Sequence, residues 1–342
     1  MTLAIALLLI FVATLVLTFV LLKAAPKLQL IAEPGDHRLH ERATPMVGGI
    51  AIYLGLMLGL VLVDGSYARL LPSLFIMCVV GLLEDRYKLP SWCRFIAQGV
   101  AAYLVIKLCN IQLVDLGLLF NSSDRVLLNP YWSIGLTVFA CIGVINAINM
   151  SDGLDGLAGS LVFIVLLALL LMGHSSAGLI LIALSSVAGF LFWNIRLGRD
   201  SAKVFMGDAG STMLGLLIAT LLIQFSQAER GMYSVTALWL LALPLIDAVA
   251  VLIVRPLRGR SPFSADRMHY HHQLLDRGWS VNTVLWVSCM LQLLFILIGM
   301  LLLHFRIAEH VQLYAFLLLF SAYLMRLYRF SQTVISGTQT VN

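Results

Sequence analysis

The chain gathers its acidic, amide and histidine side chains into three polar segments, 146–156, 205–211 and 261–272, that join long apolar runs. Carboxylate and amide oxygens are hard ligands that suit Mg²⁺, especially where a substrate phosphate completes the coordination. Arginine forms bidentate contacts with phosphate, and histidine beside it fits anion binding. The three segments therefore predict chemistry on a phosphate group with a divalent cation.

The first segment reads Asn-Ala-Ile-Asn-Met-Ser-Asp-Gly-Leu-Asp-Gly. Asn146 and Asn149 lie one helical turn apart, and Asp152 and Asp155 continue the three-residue spacing. On a continuous helix these four side chains share one face. A capped turn that uses Asp and Gly for their turn chemistry is the structural alternative. We favour a functional site, because acidic groups at a membrane edge are unfavourable unless they have a partner or a role.

Two further acidic positions end or begin apolar runs. Asp208, in Phe-Met-Gly-Asp-Ala-Gly-Ser, could serve only as the N-cap of the following helix, yet a helix N-terminus also attracts phosphate. Glu84 and Asp85 open the sequence Glu-Asp-Arg-Tyr-Lys at the end of another run. For that pair, an interfacial charge cluster and a functional role are equally supported.

Three histidines within four positions, His269, His271 and His272, follow Arg267. A zinc site would need a fourth ligand at standard spacing, and none is evident. Docking of a basic loop on anionic lipid explains the arginines but not the histidines, so we favour phosphate binding. Asp247 lies inside an apolar run, where it must pair with another polar group, either to support the site or to tie two helices together.

Composition defines the protein class. Of the 342 residues, 61% are hydrophobic and 11% charged, whereas soluble domains carry about 25% charged residues. With about 20 apolar residues needed for each span, we predict an all-α polytopic transmembrane bundle of about 11 spans in one domain, residues 1–342. The predicted spans lie near 3–22, 46–63, 69–83, 93–111, 131–148, 157–172, 178–195, 209–225, 233–254, 281–302 and 312–329.

The basic residues predict the orientation. If the spans alternate in direction, all but five of the 22 Lys and Arg residues fall on one side. The positive-inside rule then places the polar segments and the C-terminus in the cytoplasm and the N-terminus outside. The net charge of +5 reflects this bias and does not indicate nucleic acid. The five exceptions are Arg69, Lys107, Arg125, Arg230 and Arg306.

With these motifs in place, the chain resembles the polyprenyl-phosphate N-acetylhexosamine-1-phosphate transferase superfamily over nearly its whole length. The pattern Ser-Pro-Phe-Ser-x-Asp-Arg-x-His-x-His-His is typical of its N-acetylglucosamine branch, since the muramoyl-pentapeptide branch has three consecutive histidines instead. The resemblance is carried by Arg42-Ala-Thr-Pro-Met-Val-Gly-Gly49, Glu84-Asp85, Asn146–Gly156, Phe205–Ser211 and Ser261–His272.

The resemblance implies a reaction in the bacterial cytoplasmic membrane, with the site facing the cytoplasm. A UDP-N-acetylhexosamine, expected to be UDP-N-acetylglucosamine, would give its sugar 1-phosphate to undecaprenyl phosphate and release UMP. Mg²⁺ is the implied cofactor, with Mn²⁺ as a substitute, and the product would start lipid-linked polysaccharides such as O-antigen of lipopolysaccharide. The alternatives are another UDP-N-acetyl sugar, or a secondary transporter; the latter is disfavoured because only Asp247 lies deep in a span. A homodimer is not excluded.

The resemblance also implies a role for each site residue. Asn149 and Asp208 would hold the metal ion, and Glu84 and Asp85 would face the lipid phosphate. One departure stands out, because the superfamily usually has two aspartates where this chain has Glu84-Asp85. The uridine site would comprise Asp152, Gly153, Leu154, Asp155, Asn194 and Phe205, while Arg267, His269, His271 and His272 would lie over the diphosphate or sugar.

Overall fold

The computed structural model describes residues 2–32, 43–120, 124–173, 176–196, 198–228, 231–262, 264 and 266–339, without the side chains of 333–339. Arg42 of the Arg42–Gly49 motif lies outside the described residues, as do Phe263 and Ala265 of the histidine segment. The other residues of the predicted site are all described.

All the predicted spans fall on helices. Within the described residues, eight helical segments are long and apolar enough to cross a membrane, so the protein is a polytopic helical membrane protein. Two of the predicted spans correspond to shorter apolar helices, and the span predicted at 233–254 is divided in two. The helices are α1 Leu3–Leu28, α2 Gly48–Leu62, α3 Leu71–Tyr87, α4 Ser91–Cys109, α5 Pro130–Met150, α6 Leu157–Met172, α7 Ala177–Asn194, α8 Gly207–Gln227, α9 Thr236–Leu240, α10 Ala242–Leu257, α11 Tyr270–Asp276, α12 Val281–His304 and α13 Glu309–Gln339, with a 3₁₀ helix at Gly65–Leu70 before α3.

The break between α9 and α10 follows from Pro244. Proline has no N–H to donate to the carbonyl four residues earlier, which is that of Leu240. The Gln292 side chain of α12 supplies the missing hydrogen bonds. Its Nε2 donates to Leu240 O at 2.5 Å, and its Oε1 accepts from Leu243 N at 3.3 Å. Polar backbone groups inside a membrane protein must find partners within the protein, and here one side chain satisfies both sides of the break.

Helix α8 is the central element, with nearly every residue buried. It packs mainly against α3 and α5. Contact with α3 is close because Gly81 has no side chain; a Cβ there would lie 2.3 Å from the backbone N of Ala209. Small residues allow such backbone approach between membrane helices. The C-terminal end of α3 is thereby held against the first turn of α8, where Asp208 lies.

A short extended element, which the all-α prediction omitted, supports the start of α8. Strands Ile31–Ala32 and Thr44–Pro45 pair antiparallel. Residues after the second strand continue the contact, because Gly48 N donates to Phe205 O at 3.0 Å and Phe205 N donates to Pro45 O at 2.8 Å. Strands of two residues have no alternating hydrophobic pattern to reveal them, yet this pair fixes the segment that leads into Asp208.

Candidate active site

The end of α3 supplies the cap of α8. The Asp85 carboxylate accepts hydrogen bonds from Asp208 N at 3.1 Å and from Ala209 N at 3.4 Å. A carboxylate at a helix N-terminus satisfies free N–H groups and interacts favourably with the helix dipole. An N-cap role for Asp208 is therefore wrong, since Met206 occupies that position without a side-chain cap. Asp208 Oδ1 instead accepts from Asn149 Nδ2 at 2.8 Å.

The expectation that four polar side chains of 146–156 share one helical face is wrong. Helix α5 ends at Met150, and a turn follows in which Gly156 adopts a φ of +79°, a conformation that favours glycine. Asn146 and Asn149 both lie on α5, where Asn146 Nδ2 donates to Gln98 of α4 at 2.8 Å. The turn then separates Asp152 from Asp155.

Asp155 is engaged by the protein itself. Its Oδ2 accepts from Arg196 Nε at 2.6 Å and from Ala202 N at 2.9 Å. Asn194 is similarly committed, because its side chain accepts from Gly156 N at 3.0 Å and donates to Val204 O at 2.9 Å. Sequence reasoning did not single out Arg196, although its position after a long apolar helix is a signal for an interfacial partner. These bonds fix the 151–156 turn.

A cavity of about 240 Å³ opens beside this turn. We call Asp85, Asp152 and Asp208, which all line it, the acidic wall. Burial, and then repulsion by the neighbouring aspartates, raises the pKa of Asp152 well above its ordinary value. The six residues assigned to a uridine site by resemblance all line the same cavity, namely Asp152, Gly153, Leu154, Asp155, Asn194 and Phe205.

The donor chemistry of the acidic wall fits Mg²⁺. The described residues contain no group of three or more His, Cys, Asp or Glu side chains arranged to hold a metal by themselves. Mg²⁺ is commonly bound by one or two carboxylates together with water and substrate phosphate oxygens, so an all-protein cage is not required. Asp208 and Asn149 lie together as expected, with the Asn149 amide nitrogen facing Asp208.

Glu84 does not line this cavity. With Arg94, Asn149 and Asp208 it lines a narrow crevice on the other side of Asp208. Glu84 Oε1 lies 3.7 Å from Arg94 Nη1, and Glu84 Oε2 is buried with no hydrogen-bond partner in the part of the chain that the structure describes. The adjacent acids of the Glu84-Asp85 motif therefore face different openings, which meet at Asp208.

The histidine segment, read from the sequence as a loop, becomes helical at Tyr270, where α11 begins. We call His269, His271 and His272 the histidine wall. Their rings follow one another, with centroids 5.6 Å apart for His269 and His271 and 4.3 Å apart for His271 and His272. Of the three, only His272 is among the described residues that line the cavity. The sequence pattern alone made the three histidines look alike, whereas the fold gives each a different environment.

Burial changes the pKa values of two of the three histidine rings, His271 and His272. It lowers the pKa of His271 well below its ordinary value, with His272 adding to the effect. Burial also lowers the pKa of His272 to about 4, with further lowering by Arg267. Both rings are therefore neutral at pH 7. Neither ring nitrogen of His271 has a hydrogen-bond partner among the described residues.

Two side chains of α10 hold the segment before α11. Arg255 forms a bidentate pair with Asp266, with both nitrogen–oxygen distances at 3.0 Å, and its Nη1 donates to Pro262 O at 2.7 Å. Asp247 contacts His269. Sequence reasoning listed Arg255 only as a basic residue and missed this pair, although an arginine at the end of an apolar run and an acid in the next loop are a recognisable combination.

Arg267 lies apart from the cavity lining. Its guanidinium pairs with Asp276. Both side chains are partly exposed, and ion pairs in such positions contribute little to stability. Because this ion pair contributes little free energy, the Arg267 guanidinium can leave Asp276 and bind a more highly charged anion such as phosphate.

Comparison with known proteins decides the family. Residues 67–226 match the profile described as Glycosyl transferase family 4. The undecaprenyl-phosphate alpha-N-acetylglucosaminyl 1-phosphate transferase of Escherichia coli strain K12 is 33% identical over 327 residues, covering 92% of this chain and 88% of that protein. The chain belongs to the polyprenyl-phosphate N-acetylhexosamine-1-phosphate transferase superfamily.

Two other relatives carry the same description. The protein from Salmonella typhi is 34% identical over 282 residues, covering 79% of this chain and 76% of its own. The protein from Yersinia pestis is 31% identical over 336 residues, covering 94% of this chain and 91% of that protein. The similarity therefore extends well beyond the matched family region and includes the histidine wall.

Proposed function

We propose that the protein transfers N-acetylglucosamine 1-phosphate from UDP-N-acetylglucosamine to undecaprenyl phosphate and releases UMP. The observation that carries the proposal is the single cavity that brings the acidic wall together with His272 and the six residues assigned to uridine. The names of the relatives supply the donor sugar and the lipid acceptor. The product starts lipid-linked cell-surface polysaccharide, such as O-antigen of lipopolysaccharide.

The reaction requires that the two substrate phosphates be positioned and their negative charges compensated, more than it requires a strong nucleophile. An oxygen of the lipid phosphate forms a bond to the sugar-bearing phosphorus of the donor, and the diphosphate bond breaks so that UMP leaves with the electron pair. Because the acceptor is already anionic, catalysis consists mainly of holding two repelling phosphates in line in a preorganised site. Mg²⁺, when bound by Asp208 and Asn149, supplies positive charge to the diphosphate.

The protein side chains divide this task by location. The 151–156 turn, fixed by Arg196 and Asn194, binds the uridine. His272 contacts the diphosphate or sugar from the opposite side. Glu84, whose crevice meets the cavity at Asp208, faces the acceptor phosphate from the side of α3. Asp85 keeps the first turn of α8, and with it Asp208, in place.

The site faces the cytoplasm of the bacterial inner membrane, with the N-terminus outside and eleven spans in total. The asymmetry of basic residues and the cytoplasmic supply of nucleotide sugars support this orientation. A cysteine introduced at Arg260, which is exposed near the histidine wall, tests it in a variant lacking the native cysteines. Labelling of intact cells by an impermeant reagent would contradict the orientation.

The test of function is direct transfer. Purified protein, labelled undecaprenyl phosphate and a panel of UDP-sugars should yield lipid diphosphate-sugar and UMP only with UDP-N-acetylglucosamine, and only with Mg²⁺ or Mn²⁺ present. Transfer from UDP-N-acetylgalactosamine alone would change the sugar but keep the reaction. No lipid product with any UDP-sugar would overturn the proposal.

A further inference from the structure

Asp247, in the middle of α10, is a buried carboxylate on which three donors converge. Its Oδ2 lies 2.7 Å from His269 Nδ1. Its Oδ1 accepts from Tyr270 N at 3.0 Å and from the Tyr323 hydroxyl of α13 at 2.5 Å. Asp247 is 3% exposed and His269 is 6% exposed, so water contributes little to this arrangement and protein groups determine its geometry.

The three hydrogen bonds determine which nitrogen of His269 carries the proton. Because Tyr270 N and the Tyr323 hydroxyl both donate to Asp247, the carboxylate acts as an acceptor, and His269 Nδ1 must donate to it. A hydrogen bond at one ring nitrogen sets the role of the other and the orientation of the ring. The ring of His269 is therefore fixed in the plane that its contact with Asp247 allows.

The fixed ring of His269 lies at one end of the histidine wall. Its plane is within 11° of that of His271, and His271 in turn packs on His272, the member that lines the cavity. Neither ring nitrogen of His271 has a hydrogen-bond partner among the described residues. The ring packs against His269 and His272, and the Tyr270 ring meets it edge-on.

We propose that Asp247 is a positioning residue, which orients His269 and, through the packed rings, places His272 against the substrate diphosphate or sugar. This inference rests on the proposed function and adds Asp247 to the groups on which the site depends. Asp247 does not touch the substrate. Tyr323 of α13 donates to the other carboxylate oxygen and does not contact His269 through this bond.

The alternative role for Asp247 is a structural tie between α10 and α13 through Tyr323. The two roles differ in what depends on His269. A structural tie acts in the same way whether or not His269 is present, whereas a positioning role disappears with it. Coupling between residues in one network appears as non-additivity of their substitutions, so a double-mutant cycle separates the two roles.

The experiment measures kcat and KM of the purified full-length protein with undecaprenyl phosphate and UDP-N-acetylglucosamine, for Asp247→Asn, His269→Ala and the double variant. We expect Asp247→Asn to lower kcat about thirtyfold or more, and to cause less than a threefold further loss when His269 is already alanine. Tyr323→Phe, which leaves the Asp247–His269 bond in place, is the matched control and should lose only a few fold. An undiminished effect of Asp247→Asn in the His269→Ala background would overturn the proposal.

Asp247→Asn is buried and could prevent folding, so His269→Asn provides a second test. Asparagine can still donate to Asp247, but it has no ring to pack against His271. The proposal expects His269→Asn to be as impaired as His269→Ala while its thermal unfolding stays near that of the wild type. Near-normal activity of His269→Asn would overturn it. Failure of the proposed function is distinguishable, because the wild-type protein itself would then give no lipid product.

Discussion

The acidic wall lines one cavity together with His272 of the histidine wall, but the two walls differ in how their polar groups are partnered. Asp152 approaches Asp85 and Asp208, with repulsion among the three. In the histidine wall, His269 contacts Asp247, and both carboxylate oxygens of Asp247 have hydrogen-bond donors. The comparison teaches that the His269 end of the histidine wall is positioned before substrate arrives, whereas the acidic wall is completed only by added positive charge. Substitutions should therefore affect the two walls differently.

The largest effect should come from removing charge at the centre of the acidic wall. We expect Asp208→Asn to reduce turnover by at least about a hundredfold while the protein remains folded, because one oxygen stays and only the negative charge is lost. The measurement is transfer to labelled undecaprenyl phosphate at saturating UDP-sugar. Asp200→Asn, at an exposed carboxylate outside the cavity lining, is the control. Near-normal turnover of Asp208→Asn, or transfer that survives complete removal of divalent cations, would contradict a metal at this wall.

The next prediction contrasts two aspartates of the same turn. Asp152→Asn should lower activity while raising or preserving thermal stability, because it removes a repelling charge. Asp155→Asn should lower both, with about 1–3 kcal/mol lost, because Arg196 and Ala202 N lose their charged acceptor. Thermal unfolding of detergent-solubilised protein, measured beside transfer activity, checks the contrast. Equal stability changes for the two variants would remove the distinction between an unpaired and a paired carboxylate.

The same contrast has a pH signature. Because burial and then repulsion raise the pKa of Asp152 in the folded protein, its contribution to stability is fully present below the ordinary pKa of aspartate. It is lost as the pH rises from that value through the raised one. Asp152→Asn should therefore show a smaller decline in stability over this range than the wild type. An unchanged decline would assign the pH dependence to another group.

A third prediction concerns the contact between Gly153, which lines the cavity, and His271 of the histidine wall. A Cβ at Gly153 would lie 2.6 Å from His271 Nε2, so Gly153→Ala must displace the ring. We expect a loss of about tenfold, which should largely vanish in a His271→Ala background because the clash is gone. Gly143→Ala is the control, since a Cβ there has nothing within 4 Å. A full tenfold loss in both backgrounds would show that Gly153 matters for backbone conformation or uridine contact instead.

The sequence predicted the features that depend on local residue patterns and missed those that depend on contacts between helices. The helices followed from the length and composition of apolar runs, so their positions were predictable. The break at Leu241 was not, because it depends on Gln292 satisfying a carbonyl from another helix. Likewise the spacing of Asn149 and Asp152 was compatible with a continuous helix or a capped turn, and the turn after Met150 depends on contacts made by Asp155 and Gly156.

The site shows the same division. Residue types identified the acidic and histidine segments, but not that Asp85 caps α8 across an interhelical contact. They also gave no reason to separate His272 from its neighbours. Both facts depend on tertiary packing, the first on the close approach at Gly81 and the second on which residues the fold brings to the cavity. The type of chemistry was recognisable from the local sequence, whereas the role of each individual residue was not.

The smallest effect should come from Glu84, which belongs to neither wall. In the crevice it reaches toward Arg94 at 3.7 Å, a distance that its extra methylene relative to aspartate helps to span. Glu84→Asp should therefore weaken this contact and lower the rate by only a few fold, while Glu84→Gln, which keeps the length but not the charge, should lower it more. Asp85→Asn should exceed both, because Asp85 also holds the first turn of α8.

The rates are best measured at saturating UDP-sugar over a range of undecaprenyl phosphate. If the crevice admits the acceptor, the Glu84 variants should change the KM for the lipid more than the KM for UDP-sugar, since Arg94 would be left in a different position to meet an incoming phosphate. Wild-type kinetics for Glu84→Gln would show that this acid has no part in acceptor binding. Asp85 would then be the only acid of the pair with a role in the reaction, and the superfamily's usual aspartate at this position would need a structural explanation.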